Sequence, residues 1–395
     1  MIYLEDTGRT APRPLSVRRV LIIQLGDIGD VVWSLPAFRA VREAWPGAAV
    51  SVLLRAGNGS LLTSESHPPK IFEVRKGVWE SLRLIWALRR EKFDLVFDLR
   101  GDERGGYTAF LTGAPVRAAR HYPALAWPRN LLFTHLIVSP VGSMPTGAAE
   151  SSLSILRAFG IETKSVIPNL QLSAEARARV SQILADEGIT AAVETSGTTA
   201  RGDLKAFPAG TLALSRLEPT PASLAAGHSE RGGAWVTVNP FSRWSYKEWG
   251  VEKWVQVTDW LRRDFGIATV LVGAPAERER AEELARACSG RVHNLTGRTT
   301  LAELAGILEL SRLHIGVDSA APHIAAAVGT QTVTLYGPSD WRHWKPPGES
   351  HRVVVSGMDC VPCHQKGCDG SGVSRCLDTL EVGQVQAVVC EALFG

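Results

Sequence analysis

Short apolar runs alternate along the chain with longer segments of helical periodicity. In the first half the runs are rich in aliphatic and β-branched residues, and they lie at residues 20–25, 50–55, 95–99 and 135–138. The second half repeats the scheme at residues 235–239, 269–272, 313–317 and 332–336. Runs of this length and composition are typical of strands that are buried on both faces of a sheet.

Segments of helical period separate these predicted strands. They cover residues 31–45, 78–90, 249–265, 276–288 and 301–310. Strands that alternate with helices predict parallel sheets with helices on both faces. We therefore predict an α/β protein made of two Rossmann-like, doubly wound parallel sheets. A strand–turn–helix unit in each half suggests two similar domains that face each other across a cleft.

The composition of the segments outside the predicted strands and helices indicates where the domains begin and end. Residues 1–17 contain proline, arginine and acidic residues but no apolar signal core, so we expect a flexible arm and no export. The first domain covers residues 18–175 and the second residues 234–380. Between them, residues 190–233 are dense in small residues and proline, which indicates a flexible insertion, alternatively a short helix with loose flanks. Residues 381–395 predict a final helix that packs back on the first domain.

Composition narrows the class of protein. The chain has 395 residues, of which 45% are hydrophobic and 21% charged, as in ordinary globular proteins. The net charge of +3 does not suggest a nucleic-acid binder. No apolar run approaches the roughly 20 residues of a membrane span. We expect a cytoplasmic protein whose thiols stay reduced.

The first candidate site is the turn after the strand in LIIQLGDIGD, residues 21–30. Gly29 is expected to permit a tight turn from strand to helix. Asp30 then lies in the first helical turn, where this motif alone favours a helix cap over a catalytic role. A cap that lines a cleft can also be a base. The neighbouring charge of Asp27 would raise the affinity of Asp30 for a proton.

The second candidate site is NPFSRWSYKEW, residues 239–249, which directly follows a predicted strand. Backbone amides, the hydroxyl of Ser242 and the ammonium of Lys247 could together hold a diphosphate. The alternative is a solvated loop with one surface lysine. The aromatic neighbours Phe241, Trp244 and Tyr246 disfavour a purely solvated loop.

The third candidate site is Asp318, Ser319 and His323, at the start of an alanine-rich helix after a buried strand. The carboxylate could accept sugar or ribose hydroxyls, and His323 could reach a phosphate. A buried capping aspartate and a histidine with internal partners are the alternatives for each residue alone. The occurrence of both after one strand favours a binding site.

Three arginines follow strands of the first half. Arg100, Arg104 and Arg120 could recognise an anionic acceptor through bidentate contacts, although each alone is an ordinary surface residue.

Four cysteines near the chain end form a C-x2-C-x4-C-x7-C pattern. Cys360, Cys363, Cys368 and Cys376 could hold a structural zinc. Free thiols or a conditional disulfide are equally compatible with this compact spacing.

Four ordered blocks of the chain resemble the ADP-heptose:lipopolysaccharide heptosyltransferases, glycosyltransferase family 9. The blocks are VLIIQLGDIGDVVWSLPAFRAVREAWPGA, FDLVFDLRGDERGGYTAFLTGAP, VTVNPFSRWSYKEWGVEKW and NLTGRTTLAELAGILELSRLHIGVDSAAPHIAAAVGTQTVTLYGP. The resemblance covers about residues 18–390 apart from the central insertion. The cysteine pattern is similar to one near the C-terminus of members similar to heptosyltransferase II.

The resemblance implies a GT-B fold, in which the second domain binds most of the donor. It implies that Asp30 is the general base and that Lys247 contacts phosphate. It places Asp318 and His323 on the donor and Glu277 on the donor ribose. No Asp-x-Asp metal motif appears in the chain, so we expect the reaction to require no divalent metal ion or other cofactor.

The implied activity is an inverting transfer of heptose from ADP-heptose to the lipid A-linked inner core of lipopolysaccharide. Such a protein would be cytoplasmic and would contact the inner membrane peripherally, with no nucleic-acid partner. The alternatives are another nucleotide-sugar enzyme on this scaffold, with a different donor sugar or as an epimerase, and a non-catalytic sugar-nucleotide-binding module. A nicotinamide oxidoreductase is disfavoured because no glycine-rich fingerprint follows either leading strand.

Overall fold

The computed structural model describes residues 1–5, 16–63, 68–123, 128–138, 148–163, 165–189 and 235–395. The predicted insertion at residues 190–233 lies outside the described residues, so its prediction stays untested.

The first half of the chain forms a parallel sheet of seven strands in the order β1-β7-β6-β5-β2-β3-β4. The strands are β1 (Ile2–Glu5), β2 (Arg19–Gln24), β3 (Ala49–Arg55), β4 (Lys70–Val74), β5 (Leu95–Asp98), β6 (Val116–Arg120) and β7 (His135–Val138). The helices are α1 (Ile28–Trp33), α2 (Leu35–Ala44), α3 (Gly59–Thr63), α4 (Val78–Glu91), α5 (Glu103–Thr112), α6 (Ala148–Arg157) and α7 (Ala174–Asp186).

The second half forms a parallel sheet of six strands in the order β10-β9-β8-β11-β12-β13. The strands are β8 (Trp235–Asn239), β9 (Ala268–Leu271), β10 (Val292–Asn294), β11 (His314–Val317), β12 (Thr332–Leu335) and β13 (His351–Val354). The helices are α8 (Val251–Phe265), α9 (Arg278–Ala287), α10 (Leu301–Leu310), α11 (Ala320–Ala327), α12 (Trp341–Trp344), α13 (Arg375–Asp378) and α14 (Val382–Phe394). The predicted α/β architecture of two parallel sheets is confirmed.

The N-terminal residues depart from the predicted flexible arm. Residues Ile2–Glu5 are the edge strand β1, which pairs in parallel with β7. The amide of Ile2 also donates to the carbonyl of Thr134 at 2.8 Å. The prediction of an arm over residues 1–17 is therefore wrong for its first five residues. The strand is short, with the sequence IYLE, and as an edge strand it pairs with a single neighbour.

Two helix predictions also need correction. The helix predicted over residues 31–45 is two helices, because the chain breaks at Ser34 and α2 begins with Pro36 at its second position. The final helix α14 packs against α8, β12 and β13 of its own domain and not against the first domain. Its buried residues Val385, Val389 and Leu393 belong to the second domain's core, which explains this placement.

The two domains touch through helices. Helix α1 packs against α11, and α3 packs against α10. Helix α7 also packs on α10, and the amide of Leu170 donates to the carbonyl of Ala327 at 2.8 Å. The chain therefore joins the second domain before residue 170, a little earlier than the predicted boundary at 175. No helix among the described residues has the length and apolarity needed to span a membrane.

Candidate active site

The two strand–turn–helix units found in the sequence meet at their helices. The unit β2–α1 brings Gly29 against His323 of the unit β11–α11, and a β-carbon at position 29 would lie 3.2 Å from Cδ2 of His323. Gly29 lies inside α1 and not in the turn before it. The predicted turn role of Gly29 is therefore wrong, and its small size instead permits close contact between the domains.

Asp30 lies in the first turn of α1, and the N-cap of that helix is Asp27. Oδ2 of Asp30 accepts the backbone N–H of Asp27 at 2.8 Å, which is one half of a capping box. Gly26 provides the space for this carboxylate, because any β-carbon at position 26 would overlap it. The cap interpretation is thus correct in part, since Asp30 stabilises the helix start without being the capping residue.

The carboxylate of Asp30 is neither fully buried nor open. Its side chain is 29% exposed, and Nη1 of Arg100 lies 3.4 Å from Oδ2. Burial raises the pKa of Asp30; the Asp27 N–H and Arg100 oppose the rise, and the charge of Asp27 adds to it. The expected direction from Asp27 is correct, but desolvation is the larger cause. A carboxylate with a raised pKa is a better proton acceptor at neutral pH.

One ion pair connects the two turns across the domains. Oδ1 of Asp27 accepts from Arg55 at 2.6 Å within the first domain and from Arg243 at 3.1 Å in the second domain. Arg243 belongs to the predicted diphosphate loop, residues 239–249. The turn that carries Asp30 and the loop that carries Lys247 therefore face each other.

The second domain holds a lysine–aspartate pair at the ends of its strands. Nζ of Lys247 lies 2.6 Å from Oδ2 of Asp318, and the side chains are 22% and 7% exposed. The predicted loop and the predicted helix start therefore converge on one point. An ammonium has three donors, so Lys247 can keep Asp318 as a partner and still donate to a phosphate oxygen.

The neighbouring polar groups are largely engaged with one another. The hydroxyl of Ser242 donates to the carbonyl of Asp318 at 3.3 Å, and the amide of Ser242 donates to Glu248 at 3.0 Å. Ser319 donates to Oδ1 of Asn239 at 2.6 Å. The backbone amide of Ser242 is therefore already occupied by Glu248 in this arrangement. Glu248 and Asn239 were not predicted as site residues, although both lie within the quoted motif.

His323 is buried between tryptophans. Its ring makes an edge contact with Trp33 at 5.6 Å between centroids and lies 6.4 Å from the ring of Trp344. Burial lowers the pKa of His323 to about 4. His323 is therefore neutral at pH 7 and would meet a phosphate as a hydrogen-bond donor, not as a cation. Its Nδ1 atom is buried without a hydrogen-bond partner among the described residues.

Glu277 lies in a 3₁₀ turn after β9. Its Oε2 accepts the amide of Ala274 at 2.7 Å, and burial raises the pKa of Glu277. This position at the carboxyl end of a strand agrees with a ligand-facing role, while its present hydrogen bond is structural.

The three arginines that were predicted to contact an acceptor have different environments. Arg100 approaches Asp30, as described above, and also Asp102 at 3.2 Å. Arg104 is exposed in the first turn of α5. Arg120 is 9% exposed, and its guanidinium donates to the hydroxyl of Ser154 and the carbonyl of Ser151 in α6. Arg120 therefore holds β6 to α6, and its predicted contact with an acceptor is wrong.

A second carboxylate near this edge was missed. Asp98 ends β5, is fully buried, and accepts the amides of Gly101 at 2.9 Å and Arg100 at 3.2 Å through Oδ1. Burial raises the pKa of Asp98 to about 7. Asp98 thus fixes the loop that presents Arg100 to Asp30. Asp98 lies inside the predicted buried strand at residues 95–99, but no motif in FDLRGD singled it out as a site residue.

The four C-terminal cysteines are free thiols, and Cys376 is the buried one. Burial, followed by the nearby thiols of Cys363, Cys368 and Cys360, raises the pKa of Cys376 to about 11. Within the described ranges, no three His, Cys, Asp or Glu side chains are arranged to hold a metal ion. The zinc hypothesis stays a prediction, which metal analysis of the purified protein would check.

Comparison with known proteins assigns the family. The model of glycosyltransferase family 9 (heptosyltransferase) matches residues 81–373. The chain belongs to glycosyltransferase family 9. Its resemblance to that family, and its identity as a glycosyltransferase, are confirmed.

Individual family 9 proteins are similar in sequence to this chain over most of their length. Lipopolysaccharide heptosyltransferase 3 of Escherichia coli is 25% identical over 331 residues, which cover 80% of this chain and 83% of that protein. Lipopolysaccharide heptosyltransferase 1 of Pseudomonas aeruginosa is 23% identical over 364 residues, 89% of this chain and 87% of that protein.

Solved structures of family 9 share the fold. The family 9 glycosyltransferase of Veillonella parvula has a TM-score of 0.71 at 18% identity, over 98% of this chain and 99% of that one. E. coli ADP-heptose lipopolysaccharide heptosyltransferase II has a TM-score of 0.69 at 19% identity, over 95% and 98% of the two chains. The predicted GT-B fold is confirmed.

Proposed function

We propose that this family 9 glycosyltransferase is an inverting heptosyltransferase. It moves heptose from ADP-heptose to the inner core of lipopolysaccharide, as the names of its relatives suggest. The observation that carries the proposal is the Asp27–Arg243 ion pair, which brings the turn that carries Asp30 to face the loop that carries Lys247 and its partner Asp318. One side supplies a base and the other a diphosphate contact.

Asp30 is the proposed base. As an acceptor hydroxyl oxygen forms its bond to the anomeric carbon, its proton passes to the carboxylate of Asp30. Arg100 lies close enough to hold this carboxylate and to meet an anionic acceptor group. Arg104, on the same edge, is a second proposed contact for acceptor phosphates or carboxylates.

Lys247 is the proposed contact for the leaving group. As the bond from the anomeric carbon to the diphosphate oxygen breaks, negative charge develops on the released ADP. The ammonium of Lys247 stabilises that charge, and the largely buried position strengthens the interaction. Because Lys247 can serve this purpose, the proposal requires no metal in the transfer step.

Asp318, Ser319, Ser242 and Glu277 are proposed to orient the donor. The carboxylate of Asp318 would accept hydrogen bonds from sugar hydroxyls, while its negative charge keeps Lys247 in place. His323, being neutral, would donate one hydrogen bond. The donor must displace some present contacts, since the hydroxyl of Ser319 is bonded to Asn239.

The domains are in contact beside His323. A small cavity lies there, lined among others by Val32, Trp33, Pro168 and Ala326, and it has room for about one water molecule, far less than a sugar nucleotide needs. We propose that the donor enters as the domains separate and that closure then excludes water from the reaction.

A transfer assay tests the proposal. Purified protein, ADP-heptose and truncated inner-core acceptors that carry no, one or two heptoses should yield ADP and one of these cores extended by one heptose of inverted anomeric configuration, also in the presence of EDTA. Donor alone should give no isomerised sugar nucleotide. An epimerised donor, or donor binding without turnover, would contradict the proposal.

A donor screen by thermal shift tests the substrate separately. ADP-heptose and ADP should stabilise the protein more than UDP- or GDP-sugars. A clear preference for a uridine donor would overturn the assignment of ADP-heptose while leaving the glycosyltransferase assignment intact.

The acceptor sets the proposed location. A lipid A-linked core is anchored in a bilayer, so the enzyme must work as a cytoplasmic protein that contacts the inner membrane face peripherally.

A further inference from the structure

Helix α4 presents an apolar face to solvent. Val78, Trp79, Leu82 and Trp86 are 74%, 76%, 56% and 62% exposed. At about 100° per residue, these four positions fall within an arc of roughly 100° on the helix surface. Two exposed tryptophans on one face exceed the scattered apolar residues that are normal on a protein surface.

The opposite face of α4 already supplies the contacts that the fold needs. Leu88 is fully buried, and Leu84 and Ile85 pack with it on the core between α4 and the first sheet. The helix is therefore apolar on two faces, of which only one packs on the sheet. The outer face is not required for the packing of this helix.

The apolar surface continues onto the neighbouring helix. Helix α5 packs against α4, and Arg89 of α4 donates to the carbonyl of Leu111 at 3.1 Å. Tyr107, Phe110 and Leu111 of α5 are 50%, 48% and 40% exposed. We call the exposed residues of the two helices the α4–α5 surface: Val78, Trp79, Leu82, Trp86, Tyr107, Phe110 and Leu111.

Cations surround this surface. Residues 75–92 contain six arginines and lysines against two glutamates, although the whole chain has a net charge of only +3. One of the glutamates, Glu91, pairs with Lys70 from outside the segment at 2.5 Å. The guanidinium of Arg90 lies over the ring of Trp86 at 4.3 Å. Exposed tryptophans beside arginines are typical of surfaces that lie at the interface of an anionic bilayer.

The position of the surface fits an acceptor held in a membrane. Strand β4 is two strands from β2, at about 4.8 Å per strand. Helix α4 follows the carboxyl end of β4, and α1 with Asp30 follows the carboxyl end of β2. Because all strands are parallel, Val78 and Trp79 start from the same sheet edge as Asp30.

We propose that the α4–α5 surface docks on an anionic phospholipid bilayer. Trp79, Trp86 and Leu82 enter the headgroup region, and Arg75, Lys76, Arg83, Arg89 and Arg90 contact lipid phosphates. Docking of the surface stands on its own observations, whereas its use in transfer rests on the proposed function. There it brings the edge that carries Asp30 to an acceptor whose lipid part stays in the bilayer.

Co-sedimentation with vesicles tests the docking. The full chain should bind vesicles of phosphatidylglycerol and phosphatidylcholine in equal parts, and should bind pure phosphatidylcholine vesicles much less. The double variant Trp79→Ser with Trp86→Ser should bind the anionic vesicles about tenfold more weakly or worse. The double variant Arg83→Glu with Arg90→Glu should lose a similar part of its affinity for the anionic vesicles. Added salt should weaken the vesicle binding of the wild type.

The matched control is Tyr3→Ser. It removes an aromatic ring that is 57% exposed on β1, at the opposite edge of the same sheet, and it should bind vesicles as the wild type does. Absent vesicle binding by the wild type, or equal binding by the tryptophan variant, would overturn the proposal. So would a wild-type dimer, seen by sedimentation velocity, that the tryptophan variant dissociates while vesicles stay unbound.

Activity separates this proposal from the proposed function. The tryptophan variant should transfer sugar to a delipidated core oligosaccharide at the wild-type rate but to a vesicle-embedded acceptor several-fold more slowly. Equal rates on both acceptors would overturn the role of docking in transfer. A wild type that binds vesicles and transfers to neither acceptor would contradict the proposed function and leave the docking supported.

Discussion

Asp98 ends strand β5, Asp30 lies in α1 after the paired strand β2, and burial raises the pKa of both carboxylates. The sequence marked Asp30, because it opens a helix after a buried strand. It placed Asp98 inside the predicted buried strand 95–99 but did not mark it as a site residue, because neighbours of its carboxylate such as Gly105 of α5 and Arg129 come later in the chain. Partners set by tertiary packing, such as the Ser154 hydroxyl for the Arg120 guanidinium, were invisible for the same reason.

Asp98 should make stability depend on pH. The pKa of this acid is about 7 in the folded protein and about 4 when unfolded, so the folded state binds the proton more tightly. The resulting stabilisation is complete below about pH 4 and is lost as the pH rises to about 7, by on the order of 4 kcal/mol. Asp98→Asn should remove this dependence.

Urea unfolding at several pH values measures the effect of Asp98. As the pH rises, the unfolding free energy of the wild type should fall relative to that of Asp98→Asn. Asp264→Asn, which changes an exposed carboxylate, is the control. A difference between wild type and Asp98→Asn that stays constant from pH 4 to pH 8 would show that Asp98 is charged throughout.

Elements with a continuous apolar run were predictable, and elements without one were not. All eight predicted strands are present with ends within one residue, because strands buried on both faces need such runs. The missed strands include β1, β4 and β6, whose sequences IYLE, KIFEV and VRAAR mix charged with apolar residues. The sequence also did not predict which surface a helix packs on. Helix α14 was expected to pack on the first domain, but it packs on its own domain.

Helix α14 should be part of the second domain's cooperative core. Val389 is fully buried among residues of that core, so Val389→Ala removes two methyl groups from a packed site. We expect a loss of about 2 kcal/mol in the free energy of unfolding. Chemical denaturation would measure it, with Gln386→Ala on the same helix as the control. A loss no larger than that of the control would mean that α14 is loosely attached.

At the scale of the molecule, the sequence predicted two facing sheets but not how they touch. Asp27 and Arg243 are 216 residues apart in the chain and 3.1 Å apart in space. The contact of Gly29 with His323 likewise joins motifs that the sequence could only suggest as neighbours. Such contacts depend on the relative orientation of the domains, which no local pattern encodes.

The Asp27–Arg243 pair should favour the closed arrangement. Both side chains are more than half exposed, so we expect Arg243→Ala to cost less than about 1 kcal/mol of stability. The same variant should populate more open domains, seen as a larger radius of gyration by small-angle scattering without donor. Arg263→Ala, which removes an exposed arginine paired with Asp264, should leave the radius unchanged. An unchanged radius in Arg243→Ala would show that helix packing alone holds the domains together.

The central claim is that Asp30 takes the acceptor proton while Lys247 holds the departing diphosphate. Single-turnover transfer and ADP-heptose affinity, measured on Asp30→Asn and Lys247→Met, test it most directly. Asp30→Asn should lower the transfer rate by about 10²-fold to 10⁴-fold and leave donor affinity intact, whereas Lys247→Met should weaken donor binding. Transfer by Asp30→Asn at close to the wild-type rate would contradict the account.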